Sequence, residues 1–280
     1  MEYIRLRGMA VSPGVAQGKV HLTERIIFTS RKETISPDLI EKELERLDRS
    51  VKRTKTQLVE IKSGIEKKIG EEHAFIFEAH LMILEDDALM NGVKSIIEKE
   101  GVRAEWAISR THDKYTQIFE TIEDDYIRQR QSDVSDVLSK IYTNLAPTVS
   151  KEREIDGEKI LVAHDLLPSE AATCFSRGDI LAVALEMGGQ TSHTAILARS
   201  MNIPAVVGLR NITQIVKTGD NLIVDGTAGE VIINPAATTC REFDSKKKKY
   251  DDYQKELRKT AILESVTLDG FQFYPMANIE

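Results

Sequence analysis

Between Ser36 and about Leu145 the apolar residues recur at intervals of three, four and seven. Over residues 1–22 and again over 159–235 they alternate or come in short runs. Ser36-Pro37-Asp38 opens the helical part with a cap, a proline at the first helical position and an acid in the first turn. Ile40, Leu44, Leu47, Val51, Leu58, Ile61, Ile65 and Ile69 then predict one long amphipathic helix, stopped by Gly70. Four more helices are expected: Glu71 to about Leu84, Ala88 to Glu100, Val102 to about Ile122 with Trp106 as core anchor, and about Ile127 to Leu145.

The remaining runs read differently. Lys159 to Ala163, Ile180 to Leu185 and Ala205 to Val207 predict strands. Pro168-Ser169-Glu170 starts a short helix, Thr191 to Met201 forms another, and Ile212 to Val216 a helical turn. Asn221 to Asp225 and Glu230 to Ile233 pair as a hairpin, and residues 1–22 give two short strands joined by a turn. Neither end supplies enough strands for a covered sheet, so both are expected to share one. The fold class is α/β plus all-α. Residues 1–22 and 148–235 form a discontinuous α/β domain, 30–147 a helical insert, 236–262 a charged linker helix, and 263–280 the first strand of a further, truncated domain.

Composition narrows the partners. With 41% hydrophobic and 30% charged residues the 280-residue chain is a globular protein of one large or two modest domains. A net charge of −7 argues against nucleic acid and anionic membranes and favours a basic partner. Cys174 and Cys240 stand in no metal or redox spacing, and no stretch reaches membrane-spanning length, so a cytoplasmic protein is expected.

The chemistry concentrates at Gly188-Gly189-Gln190-Thr191-Ser192-His193-Thr194-Ala195-Ile196-Leu197-Ala198-Arg199. Two glycines permit a tight turn, Thr191 or Ser192 can cap the following helix, and His193 falls in its first turn. Free N–H groups and the positive end of the helix dipole favour an anion there, and a neutral imidazole is a competent nucleophile. The alternative is a histidine that only packs or caps. Arg199 could add positive charge or serve as a structural ion pair. His73 and His80 lie seven apart, a looser spacing than a metal-binding pair needs. His164 lies near a strand end; His21 and His112 are expected to be structural or exposed. No metal site is expected.

This stretch, continued by Asn202-Ile203-Pro204-Ala205-Val206-Val207-Gly208, resembles the phosphohistidine signature of phosphoenolpyruvate-using enzymes. These include enzyme I of the bacterial sugar phosphotransferase system, pyruvate phosphate dikinase and phosphoenolpyruvate synthase. The resemblance implies a transferase in which His193 accepts a phosphoryl group, through Nε2, with Gly189, Thr191, Ser192, Thr194 and Arg199 supporting phosphate or ring. Enzyme I commonly has a threonine that bonds the active imidazole where this chain has Ala171. That leaves Ser169, Thr173 or a main-chain group to orient the ring, or a ring held less firmly.

Gly8 to Gly18 resembles the opening of enzyme I. Gly70 to Asp87 and Asp124 to Val134 resemble its helices that dock the phosphocarrier protein HPr. The resemblance implies a docking face of Glu71, Glu72, Phe75, Met82, Ile83, Asp86, Asp87 and Arg130, although one helix cannot turn all its apolar members outward. It further implies a relay from phosphoenolpyruvate through His193 to HPr. The phosphoenolpyruvate site and its Mg²⁺ belong to a C-terminal barrel missing from this chain, so no metal is expected on this part. Dimerisation through that barrel would leave this chain a monomer. The alternatives are a phosphohistidine domain of the dikinase or synthase type, a nitrogen-branch enzyme I, and a docking module without chemistry.

Overall fold

The computed structural model describes residues 3–23, 28, 31–145, 157–260, 263–267 and 269–274, with backbone alone at 125–129. The readings for 24–27, 146–156 and 275–280 lie outside the described residues. Two compact units are present, Met1–Pro235 and Ala236–Glu280.

In the first unit, a turn of 3₁₀ helix at Pro37–Leu39 leads into α1 (Ile40–Ile69), a 30-residue helix. Its buried positions Leu47, Ser50, Thr54, Leu58 and Ile65 follow the threes, fours and sevens of the sequence. Gly70, at φ 99°, ends it and opens α2 (Glu71–Leu84). Next comes α3 (Asp87–Glu100), capped by Asp86, whose carboxylate accepts the Leu89 N–H at 2.8 Å. Gly101 in the left-handed conformation ends it, and α4 (Ala104–Glu120) and α5 (Asp125–Leu145) complete the bundle. Trp106 is only partly buried; Ala104, Ala107 and Ile108 carry the core contact of α4 instead.

The sheet takes strands from both ends of this unit. Residues 4–22 give three strands, not two: β1 (Ile4–Arg7), β2 (Met9–Ser12) and β3 (Val15–Leu22). After the insert come β4 (Lys159–Ala163), α6 (Pro168–Arg177), β5 (Ile180–Leu185), α7 (His193–Ser200), β6 (Ala205–Val207), α8 (Ile212–Ile215), β7 (Asn221–Asp225) and β8 (Glu230–Ile233). The spatial order is β1-β8-β7-β3-β4-β5-β6-β2, with β3 to β6 parallel and the other pairings antiparallel.

β1 and β2 are the two edges of this sheet, yet only Gly8 separates them in sequence. One residue spans at most ~3.8 Å from Cα to Cα, so the sheet must curl until its edges nearly meet. Gly8 makes that closure possible: a Cβ there would lie 2.4 Å from the Val207 carbonyl oxygen. Its N–H donates to Gly229 O at 2.9 Å. The alternation of side chains then separates two cores. Ile160, Val162, Ala182, Ala184, Val206 and Val224 fill one, while Leu161, Ala163, Val183 and Leu185 join α6, α7 and the helical insert in the other.

In the second unit, α9 (Ala237–Thr260) carries ion pairs three or four residues apart, such as Lys247–Asp251 and Lys259–Glu256, as a solvated helix does. Beyond it Val266 and Gln272 form an isolated antiparallel bridge around a turn at Gly270.

Candidate active site: a histidine at a helix start

The parallel strands point their C-terminal ends at one edge, where α/β sheets place their chemistry. There the loop after β5 reverses at Gly188, φ 108°, and Ser192 N–H donates to Gly189 O at 3.1 Å. Ser192, not Thr191, is the cap of α7: its Oγ accepts the Ala195 N–H at 3.3 Å. His193 is therefore the first residue of α7, beside N–H groups that no earlier turn can satisfy.

Its ring is partly buried at the side of a cleft of about 470 Å³ between the sheet edge and the helical insert. Gln131, Ser132 and Ser135 of α5 form one wall; Asp165 to Pro168, Gly189 and Thr191 to Thr194 form the other. Burial holds the imidazole below its ordinary value of 6.5, an effect Asp133 opposes while His80 and Arg130 reinforce it. The ring is thus mainly neutral at neutral pH, the state of a nucleophile.

The other predicted site residues fall into different places. Thr194 is buried and its Oγ1 donates to Leu166 O at 3.1 Å, pinning α7 to the segment before α6. Thr191 is exposed and Gly189 lines the cleft. Arg199 points elsewhere: Nε donates to Val11 O at 3.1 Å and Nη2 to Gln190 O at 3.4 Å, tying β2 to the loop. Six residues on from His193, it lies on another face of the helix.

Neither expected hydroxyl reaches the ring. Ser169 Oγ donates to Asp136 at 2.6 Å, Thr173 Oγ1 donates to Ser169 O at 2.7 Å, and Ala171 is buried without a polar group. Among the described residues no hydrogen bond to the His193 ring is formed.

Asp136 instead clasps the two halves of the unit: it also accepts the Ser169 N–H at 2.8 Å, so a carboxylate of α5 caps the start of α6. Behind it, His80 of α2 is fully buried, with Nε2 3.4 Å from Asp133 and Nδ1 3.9 Å from Asp136. Arg130 Nη1 reaches Asp133 Oδ2 at 3.1 Å. Burial pulls the Asp133 carboxyl upward, but His80 and Arg130 outweigh it and hold it below the usual carboxylate range. Sequence reasoning missed this cluster, though a signal existed: Asp133 and Asp136 interrupt the apolar stripe of Val134, Val137, Leu138 and Ile141. A second pairing lies nearby. His164 Nδ1 sits 2.6 Å from Glu186, whose other oxygen accepts from Thr213 N–H and Oγ1.

On the predicted docking face, Phe75 and Met82 are 65% and 73% exposed, with Glu71, Glu72 and Asp87 exposed as well. Ile83 does not join them; it packs against the helical core. Asp86 is committed to capping α3. Arg130 is partly exposed and paired with Asp133.

Two family models match this architecture. Residues 7–130 match "PEP-utilising enzyme, N-terminal" and residues 155–229 match "PEP-utilising enzyme, mobile domain". Phosphoenolpyruvate-utilising enzymes are thus the class that fold and site define. A solution structure of Enzyme I (nEIt) is 38% identical with a TM-score of 0.69, covering 88% of this chain and 99% of that one. The chain belongs to the enzyme I family, the phosphoenolpyruvate–protein phosphotransferases. The phosphoenolpyruvate-protein phosphotransferase of Geobacillus stearothermophilus is 37% identical over 275 residues, 98% of this chain and 47% of the relative. That of Bacillus subtilis (strain 168) is 36% identical over 98% of this chain and 48% of the relative. The chain spans about half the length of the curated relatives it matches. The N-terminal domain of Enzyme 1 - Nitrogen shares the fold at 22% identity and a TM-score of 0.61.

Proposed function

We propose that this chain is the phosphoryl-carrying part of a phosphoenolpyruvate–protein phosphotransferase. His193 takes a phosphoryl group that originates on phosphoenolpyruvate and exchanges it with a histidine of HPr. The observation that carries the reading is a neutral imidazole at the start of a capped helix, beside a cleft with room for a phosphoryl group. Phosphoryl transfer asks for little more than an in-line nucleophile and a cradle for the equatorial oxygens. The first N–H groups of α7 supply the cradle. Gly189 and Ser192 close the turn that starts α7, exposed Thr191 lines the cleft, and Thr194 acts through its bond to Leu166.

HPr docks on α2 and the start of α5. Glu71, Phe75 and Met82 recur at four and seven residues, one stripe of the helix, with Glu72, Asp87 and Arg130 around it. An apolar centre rimmed by acids suits a partner that is basic around its own histidine. Such an insert sets this reading above the dikinase type, which passes its phosphoryl group to no protein.

Phosphoenolpyruvate, Mg²⁺ and dimerisation belong to the remainder of the full-length protein. Among the described residues no group of three or more His, Cys, Asp or Glu could hold a metal ion, and no step here is routed through one. Among them, too, no helix is long and apolar enough to cross a membrane. We assign the chain to the cytoplasm, where HPr and phosphoenolpyruvate would meet it, as a monomer when alone.

The test is ³²P transfer from phosphorylated HPr to this chain, wild type beside His193→Ala. Acid-labile, base-stable label on the wild type alone supports the reading. No label on either protein overturns it, and label on the variant moves the acceptor elsewhere.

A further inference from the structure

Among the described residues nothing bonds the His193 ring, so its placement falls to the loop that carries it, Glu186 to Ser192. Packing does little for this loop: Met187, Gly188, Gln190 and Thr191 are exposed, and a Cβ on Gly189 would meet nothing within 4 Å. Polar bonds close its base instead, and they converge on the segment His164 to Leu166 at the end of β4. Met187 N–H donates to His164 O at 2.9 Å on the incoming side, and Thr194 Oγ1 donates to Leu166 O at 3.1 Å on the outgoing side. Glu186 completes the base. One of its oxygens lies 2.6 Å from His164 Nδ1; the other accepts Thr213 N–H at 2.9 Å and Thr213 Oγ1 at 2.6 Å, which ties the loop to α8 as well. The Glu186 side chain is only 10% exposed. Burial pulls its carboxyl upward, but Thr213 and His164 outweigh this and hold it below the usual carboxylate range. An ionised carboxylate only accepts, so all three groups donate to it. Asp165 and Leu166 of the same segment line the cleft together with His193.

We propose that Glu186 is a positioning residue for phosphoryl transfer: through His164 and Thr213 it fixes the base of the loop, and thereby the place of the His193 ring in the cleft. This rests on the reading of His193 as the phosphoryl acceptor. In the transfer the lone pair of a His193 ring nitrogen forms the new P–N bond. The P–N bond of the donor breaks, and its electron pair returns to the donor imidazole. Donor nitrogen, phosphorus and acceptor nitrogen have to stand in line, and the donor is held on another protein, so a ring that wanders with its loop loses rate. Away from the base, Arg199 holds the tip of the loop by a longer bond, Nη2 to Gln190 O at 3.4 Å. The clamp of Glu186 and His164 is therefore the firmer of the two ties.

The experiment measures label acceptance from phosphorylated HPr by rapid quench, with kcat and KM separated and taken per folded molecule. Beside it, ¹⁵N relaxation gives the amide order parameters of Gly188 to Gln190. In Glu186→Ala kcat falls about tenfold, KM holds because the proposed docking face is untouched, and the order parameters fall. Glu186→Gln keeps an oxygen for Thr213 and offers its amide to His164, and it recovers most of the lost kcat. A residue that only stabilised the fold would lower the thermal midpoint and leave kcat and KM as they are; that result overturns the proposal. So does a Glu186→Gln variant as slow as Glu186→Ala, since charge rather than bonding would then be at work. Should Glu186→Ala fail to fold, His164→Ala takes its place, at a side chain that is 40% exposed. A loss of kcat at constant KM is expected there, and an unchanged kcat overturns the proposal. If wild type takes no label, the acceptor reading fails, and the clamp is judged by the order parameters alone: values unchanged in Glu186→Ala overturn it.

Discussion

At the scale of the residue, one environment decides what His193 can do. Burial depresses its pKa, so the neutral, nucleophilic form persists below pH 6.5, where a free imidazole is half protonated. The half-maximal rate of label acceptance from phosphorylated HPr is expected at a pH below 6.5; a half-maximal rate at 6.5 would show a ring that feels no burial. Phe75 is the opposite case, an aromatic side chain left in water. Phe75→Ala should weaken HPr binding by about 1–2 kcal/mol without lowering the thermal midpoint, measured by calorimetric titration and unfolding. A drop in the midpoint would instead mark Phe75 as core. The sequence separates these residues only partly: the spacing brings Phe75 and Met82 to one stripe, but whether Ile83 faces water depends on what packs above it. Arg199 shows the same limit, since its carbonyl partner Val11 is 188 residues away.

At the scale of the element, helix ends were readable because they are local, although the Ser36 side chain forms no capping bond. Ser36-Pro37, Gly70, Gly101 and Pro168 mark helix ends in the sequence and do so in the fold. α6 adds something no local pattern announces. Its Glu170 accepts the Leu167 N–H at 3.2 Å, yet burial first, and then Asp136, push its pKa up to about 7. A carboxyl whose folded pKa lies above its ordinary 4.5 favours the fold while protonated, and that contribution is lost as pH rises from about 4.5 to about 7. Glu170→Gln keeps the acceptor and removes the titration. It should be stabilising at about pH 8 by as much as ~3 kcal/mol, and by little near pH 4. Denaturant midpoints across pH measure this; a difference that does not change with pH would show that Glu170 is ionised throughout. His193 contributes with the opposite slope, because its depressed pKa costs stability as pH falls through 6.5.

At the scale of the whole first unit, the question is whether insert and sheet behave as one body. The alternation of the strands foretold a sheet shared between the two ends, but not its closure. That depends on Gly8, where a single residue joins the two edges and only a hydrogen in place of Cβ clears Val207. Nor could spacing reveal the clasp, because Asp136 meets Ser169 across 33 residues and two elements. One apolar core runs from the insert into one face of the sheet, and the clasp is a buried polar bond between them, beside the more exposed bonds of Lys68 to the Ser176 carbonyl and of Ser200 with His73. Asp136→Ala would leave the Ser169 N–H and hydroxyl unpaired in a buried setting and deprive His80 of one acid, a loss of about 3 kcal/mol. Ser169→Ala removes one hydroxyl and costs about 1 kcal/mol. The sole tryptophan, Trp106, reports on the insert, and amide exchange of β4 and β5 reports on the sheet. In the wild type the two should unfold in a single transition. In Asp136→Ala the sheet amides should lose protection at a denaturant concentration that leaves Trp106 native. Coincident transitions in the variant would mean that the apolar core and the remaining bonds of Lys68 and His73 suffice to couple insert to sheet, leaving Asp136 only to cap α6.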